Sequence, residues 1–278
     1  MYAIREPKAA GVFYNSDRMS LERDLELAFR GRDGPGEVED ERPIAMITPH
    51  DNMHLCGQVS SWTYSKTGKT NYVIIGANHL DVGARFAIMK EGLWKTPLGE
   101  AVVSNSLAQK IMDKSRYLEY DVISHDGEHS IEVQLPFMQH MYGSEFKIVP
   151  IVIKNRFEDK DFMQQCIDLG KSIAHSIITE KDRWVIIGTT DLSSGPKSRV
   201  EKADGAIIES MKNLNCKKFF DAIHKNESYI CGYGAVLATM SAAKEIKAKR
   251  SKLLKYMTST EAVKGGKATT GYASIIIK

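Results

Sequence analysis

Along the chain, short apolar runs alternate with stretches whose apolar positions recur every three or four residues. The runs IAMIT (44–48), YVIIG (72–76), RFAIM (85–89), FKIVPIVI (146–153), WVIIG (184–188), KYMT (255–258) and YASIII (272–277) read as strands. They are rich in Val and Ile, and several are apolar without a break, as strands covered on both faces are. Helical segments lie between them. Leu21, Leu25, Ala28 and Phe29 form an i, i+4, i+7, i+8 stripe behind Ser20, which reads as its N-cap. Leu107, Ile111 and Met112 follow Ser104 and Asn105 in the same manner, and Phe162 to Ile178, Val200 to Leu214 and Gly232 to Ile246 read as further helices. Strands alternating with helices predict an α/β layered domain over residues 1–278, its central sheet mixed, largely parallel and flanked by helices. GRDGPGEVEDERP (31–43) is a loop by its Gly, Pro and charge content, and too few residues precede it for a separate domain.

Composition narrows the class without naming a chemistry. With 278 residues, 42% hydrophobic and 26% charged, the chain is long enough to bury a sizeable core. A net charge of +3 is near balance, and the basic run KEIKAKRSKLLK (244–255) is mixed with apolar residues, as a solvated helix end would be. This argues against a nucleic-acid partner. No window approaches eighteen uninterrupted apolar residues and MYAIREPKAAG has no signal-peptide core, so a membrane partner is not expected. Cysteines at 56, 166, 216 and 231 lack the density or CxxC pairing of a disulfide scaffold or zinc knuckle. The expectation is a cytoplasmic protein with reduced thiols.

The chemistry gathers where strands end. IAMIT leads into Pro49-His50, YVIIG into Ala77-Asn78-His79, and WVIIG into Thr189-Thr190-Asp191. In α/β sheets ligands bind outside the carboxyl ends of strands, so these residues can converge on one crevice. Cys231 precedes Gly232-Tyr233-Gly234 and an apolar helix. Two readings stay open for it: a thiolate favoured by a helix N-terminus, or a small buried hydrophobe. In SHDGEHSIEVQLPFMQHMYG (124–143), Asp126 or Glu128 opens a helix whose core stripe is Ile131, Leu135 and Met138. His125 and His140 read as decoration of that helix, whereas His129 at its start also suits a pocket lining. TPHDNMHLCG (48–57) offers a local H-x3-H-x-C zinc pattern. Pro49 and Gly57 predict a turn there, or at best one short helical turn, and no fourth ligand is in sight, so a convergent site is preferred. GGKATTG (265–271) lacks P-loop spacing and reads as a hairpin or loop, and no G-x-S-x-G elbow is present.

AGVFYNSD (10–17), TPHDNMHLCG, GANHL, GEHSIEVQLPF (127–137), GTTDLSSG, ICGYG and the closing YASI, taken in order, make the chain similar to the Memo family. That family is related in fold to the class III extradiol dioxygenases, and the resemblance runs essentially end to end. It implies a metal site of His50, His79 and Cys231, with His129 and Asp191 lining the same pocket in catalytic roles. Tyr14 and Ser194 would contact substrate. In the related dioxygenases a glutamate stands where Cys231 does, around Fe(II); a thiolate there points to Fe, Cu or Zn. The family commonly has a histidine three residues after the aspartate, where this chain has Ser194, so His129 or Asp191 would supply a base. The implied activity is a dioxygenase-like oxidoreductase on a small molecule, with Fe(II) as the expected cofactor. Alternatives are a scaffold that binds a small-molecule or peptide ligand without turnover, and a zinc-type hydrolase. Homo-oligomerisation is compatible with each.

Overall fold

The computed structural model describes residues 4–155, 161–225, 229–263 and 268–278. Its first half comprises β1 (Ile4–Arg5), α1 (Arg18–Arg30), β2 (Ala45–Thr48), α2 (Met53–Tyr64), β3 (Asn71–Ala77), β4 (Phe86–Ile88), β5 (Leu93–Thr96), β6 (Gly99–Val103), α3 (Asn105–Lys114) and β7 (Glu119–Tyr120). Three short helices follow: α4 (Ile123–Asp126), α5 (His129–Glu132) and α6 (Leu135–Tyr142). Then come β8 (Lys147–Ile153), α7 (Phe162–Ile177), β9 (Trp184–Thr189), β10 (Ser194–Gly195), α8 (Lys197–Lys212), α9 (Cys216–Lys225) and α10 (Tyr233–Glu245). The chain closes with β11 (Ser251–Thr258), α11 (Ser259–Ala262) and β12 (Thr269–Ile277).

The strands form a mixed sheet in the order β1-β5-β6-β8-β3-β9-β2-β12-β10, with β11 along β12 and β4 along β8. Its centre, β6-β8-β3-β9-β2, is parallel; β12 runs antiparallel to β2, and β5 antiparallel to β6 but parallel to β1. The register is what builds the site. Thr48 lies opposite Thr189, Ile75 opposite Gly188 and Ala77 opposite Ile153, so adjacent parallel strands end level along one edge.

The unbroken apolar runs are explained by cover on both faces. Ile47, Val73, Ile75 and Ile186 face a core with α7, α8 and α10. Their neighbours Met46, Ile74 and Ile187 face the opposite core with α1 and α6. Side chains alternate across a strand, so a strand buried on both sides needs apolar residues at every position. Each such Ile contributes roughly 1.5–3 kcal/mol by leaving water. Helix α10 is buried over Tyr233–Ala243 and so has no polar face. It lies against α7 where a Cβ on Gly170 would come within 2.3 Å of the Ala238 carbonyl oxygen, a contact only glycine permits.

Several expectations are corrected. The N-cap of α1 is Asp17, whose carboxylate accepts from Ser20 N–H, not Ser20 itself. The segment after Pro49 is more than a turn or one short helical turn: Asn52 caps the twelve-residue helix α2, and Gly57 lies inside it against Met53. Residues 124–143 form three short helices, and Glu128 is the N-cap of α5. The basic run 244–255 spans the end of α10 and the start of β11 instead of a helix end alone. Residues 265–267 of the glycine-rich segment lie outside the described residues, and Thr269 already belongs to β12. No helix among the described residues is long and apolar enough to cross a membrane.

Candidate metal centre

Strands β2, β9 and β3 lie side by side, and each delivers a polar residue two positions past its end: His50, Asp191 and His79. The neighbouring β8 does the same with Asn155. Its side chain donates to the Cys231 carbonyl and accepts from Gly234 N–H, fixing the entry to α10 beside the strand ends. Gly232 lets Cys231 come close to β9, since a Cβ there would lie 2.0 Å from the Thr189 carbonyl oxygen. His129 arrives from α5, which packs on β3 at Gly76, where a Cβ would meet Ser130 Oγ at 2.3 Å.

His50 is the hub. Its side chain is almost fully buried; Nε2 lies 3.0 Å from Cys231 Sγ and 3.9 Å from Asp191 Oδ2. Its Nδ1 is 2.9 Å from Thr189 Oγ1, and its backbone N–H donates to Asp191 Oδ1 at 3.0 Å. The rings of His79 and His129 approach it at 5.0 and 5.5 Å between centroids and stack on each other at 4.5 Å. Donor atoms of His50, His79 and His129 lie within 4.8 Å of one another, and so do those of His50, Asp191 and Cys231. The trio His50, His79 and Cys231 is not itself one of these groups; His79 and Cys231 each meet His50 in a different one. Solvent reaches the centre from the His79 and His129 side, where the side chains are 26% and 17% exposed.

A buried carboxylate organises the imidazoles. Glu128 has no solvent exposure, accepts from His79 Nδ1 at 2.9 Å and from the His79 and Ser130 backbone N–H groups, and lies 3.3 Å from His129 Nδ1. Burial alone would raise its pKa, but these bonds and the two rings bring it down to about 2. An ionised carboxylate only accepts, so His79 must carry its proton on Nδ1 and present the Nε2 lone pair to the pocket. Burial opposes charge on His79, yet the Glu128 bond raises its pKa. Burial, with His79 alongside, pulls His129 down to about 4, and pushes His50 well below the ordinary imidazole value. Burial together with the Asp51 charge lifts Asp191 to about 7.

Of the two readings of Cys231, its surroundings oppose the helix-favoured thiolate. Burial, reinforced by the Asp191 charge, pushes the thiol well above its usual value and outweighs the Asp191 N–H it accepts at 3.3 Å. A cation would reverse that balance, because a coordinating thiol is deprotonated by the ion. The donor chemistry fits a transition ion: imidazoles, a carboxylate and a soft sulfur.

The remaining expected residues are placed as follows. The Tyr14 hydroxyl is buried and donates to Glu132 Oε1 at 2.6 Å, so it is engaged away from the imidazoles. Ser194 is exposed, with its hydroxyl 2.9 Å from Thr270 Oγ1. His54 is exposed and the Cys56 thiol donates to the Asp51 carbonyl, so neither joins His50. His125 is buried under Trp94 and His140 stacks on Phe29. Sequence reasoning missed Thr189, Asn155 and Phe13, which stacks on His129 at 4.0 Å, and it read Glu128 only as a helix opener. For Asn155 a signal existed, the same offset from a strand end as the two histidines.

The family described as Memo-like protein matches residues 5–276. A MEMO1 family protein of Methanococcus maripaludis is 34% identical over 288 residues, covering 99% of each chain. MEMO1 family proteins of Methanococcoides burtonii and Methanopyrus kandleri are 31% and 32% identical, covering 99% of this chain and 100% and 99% of theirs. A solved structure, that of the uncharacterized protein JW3007 from Escherichia coli K12, shares the fold at a TM-score of 0.53 and 13% identity, covering 84% of this chain and all of that one. The chain belongs to the Memo family.

Proposed function

We propose that this chain is a metal-dependent oxidoreductase of dioxygenase-like type, acting on a small oxygen-bearing molecule, with Fe(II) as its ion ahead of copper or zinc. The observation that carries this reading is the gathering of His79, His129, Asp191 and Cys231 around the buried His50, from two overlapping donor groups. His50, His79 and Cys231 would hold the ion. When bound, it supplies Lewis acidity and redox capacity at positions the protein leaves open.

The rest falls to the side chains. His129, at about 4, stays neutral at physiological pH and offers a lone pair to a substrate hydroxyl. Phe13 limits the swing of its ring. Asp191, at about 7, is poised to hold or release a proton beside Cys231. The apolar helix α10 behind Cys231 keeps water from that side.

Metal content of protein purified without a tag and without air tests the reading. About one equivalent of a transition metal is expected, lost in His50→Ala. Less than about one-tenth equivalent, or an undiminished content in the variant, would sink it. A second reading, ligand binding without turnover, is favoured by Ser194, whose hydroxyl turns to Thr270 where an imidazole would otherwise serve as base. Iron-loaded protein that consumes no O2 with catechols or a metabolite extract would establish that reading instead.

A further inference from the structure

We propose that the pocket contains a complete metal position independent of Cys231, made of His50, His79 and His129, so that His129 is a reserve ligand. This rests on the metal-binding reading above and adds a second coordination state to it.

The donor atoms of the three imidazoles lie within 4.8 Å of one another, close enough for small ring rotations to bring them onto one ion. Each ring is held from behind. His79 is oriented through Nδ1 by Glu128 at 2.9 Å, and His50 through Nδ1 by Thr189 Oγ1 at 2.9 Å. His129 is pinned between the faces of Phe13 and His79 at 4.0 and 4.5 Å. A metal-ligating histidine almost always has its other nitrogen on an acceptor, and two of the three rings here have one at hydrogen-bond distance.

His50 also belongs to the group with Asp191 and Cys231. With Nδ1 engaged at Thr189, its Nε2 is the only nitrogen left, and that atom binds one ion at a time. The two positions are therefore mutually exclusive. They differ in character: three neutral imidazoles in the one, and in the other, that of His50, His79 and Cys231 with Asp191 beside them, a thiolate. Co(II) and Cu(II) take thiolate where it is offered, and are held by nitrogen alone where it is not. An ion in the imidazole position leaves Cys231 and Asp191 without metal, and the pocket thereby has two states with one hub.

Cobalt and copper titrations distinguish the outcomes. Wild-type protein loaded with Co(II) should show thiolate-to-metal charge transfer. Cys231→Ser should lose that absorption yet still bind one equivalent of Co(II), and its Cu(II) form should show three nitrogen couplings by electron paramagnetic resonance. His129→Phe preserves an aromatic ring against Phe13 but has no donor. Placed in the Cys231→Ser background it should weaken Co(II) binding by about tenfold to a hundredfold and leave two nitrogens on Cu(II). Circular dichroism confirms that each variant is folded. Metal binding by wild type together with none by folded Cys231→Ser would overturn the inference alone. So would equal binding by Cys231→Ser and the double variant. Wild-type protein that binds no metal would overturn the parent reading as well.

Discussion

Glu128 carries more of the centre than any of its candidate ligands. Its two oxygens serve His79 twice, Ser130 once and His129 at longer range, all without contact with water. Glu128→Gln keeps the shape but replaces one acceptor oxygen by a donor. Metal affinity should fall about tenfold to a hundredfold, read by competition with a chelator, and denaturant unfolding should show a loss of about 1–3 kcal/mol. His50, His79 and Asp191 were legible in the sequence because each follows an apolar run by two or three positions. Glu128 was legible only as a helix opener, since its partner His79 lies 49 residues away and no local pattern joins them. His125 illustrates the other side of burial. Its ring is enclosed, with Nδ1 at the Asp121 carbonyl, and burial lowers it to about 4 from 6.5. The unfolded chain takes up that proton first, so stability is full above pH 6.5 and declines as pH falls toward 4, by about 3 kcal/mol at the limit. His129 titrates in the same window. Thermal unfolding between pH 7 and 4 should show this slope, and His125→Gln should reduce it.

At the scale of elements, two glycines set how closely helices approach the strand ends. Gly76 and Gly188 each stand three residues before a site residue, His79 and Asp191. A Cβ on Gly188 would lie 2.5 Å from Thr239 Oγ1 of α10, a hydroxyl with no partner among the described residues. Gly188→Ala should destabilise by about 1–3 kcal/mol. Adding Thr239→Ala should recover part of that loss, because it removes the clashing atom and an unpaired hydroxyl together; calorimetry of both variants decides. The strands of the parallel centre and the long helices were legible because burial on two faces, or on one stripe, leaves an unambiguous pattern. The hairpin of β5 and β6 was not: Lys95 and Glu100 interrupt its apolar residues, and Trp94 and Thr96 are buried only through tertiary packing. Helix α2 was misread because Pro49 and Gly57 signal a turn locally, whereas the Asn52 cap and packing against β12 and α1 decide otherwise. The opening segment is held by a buried pair, Arg5 with Glu132 at 2.5 Å, whose carboxylate also accepts from Ala9 N–H and Tyr14. Glu132→Gln leaves Arg5 enclosed without its anion, so an unfolding loss of about 3–5 kcal/mol is expected.

For the whole molecule, ligation and folding are linked. A metal that binds only the native centre stabilises by about 2.7 kcal/mol at a hundred times its dissociation constant. Chelation should therefore lower the unfolding temperature of metal-loaded wild type by several degrees, and leave His50→Ala unmoved. The sheet has a further consequence in time. Strand β2, which positions His50, is flanked on one side by β9 and on the other by β12, near residues 275–277. Until those residues have been synthesised, β2 offers the growing chain an open, apolar edge. Closing it joins segments some 230 residues apart, so folding should be slow and its last step late. The nascent protein thus carries its hub histidine on an unfinished border. Synthesis slowed before β12 should favour aggregation over an early metal-loaded intermediate.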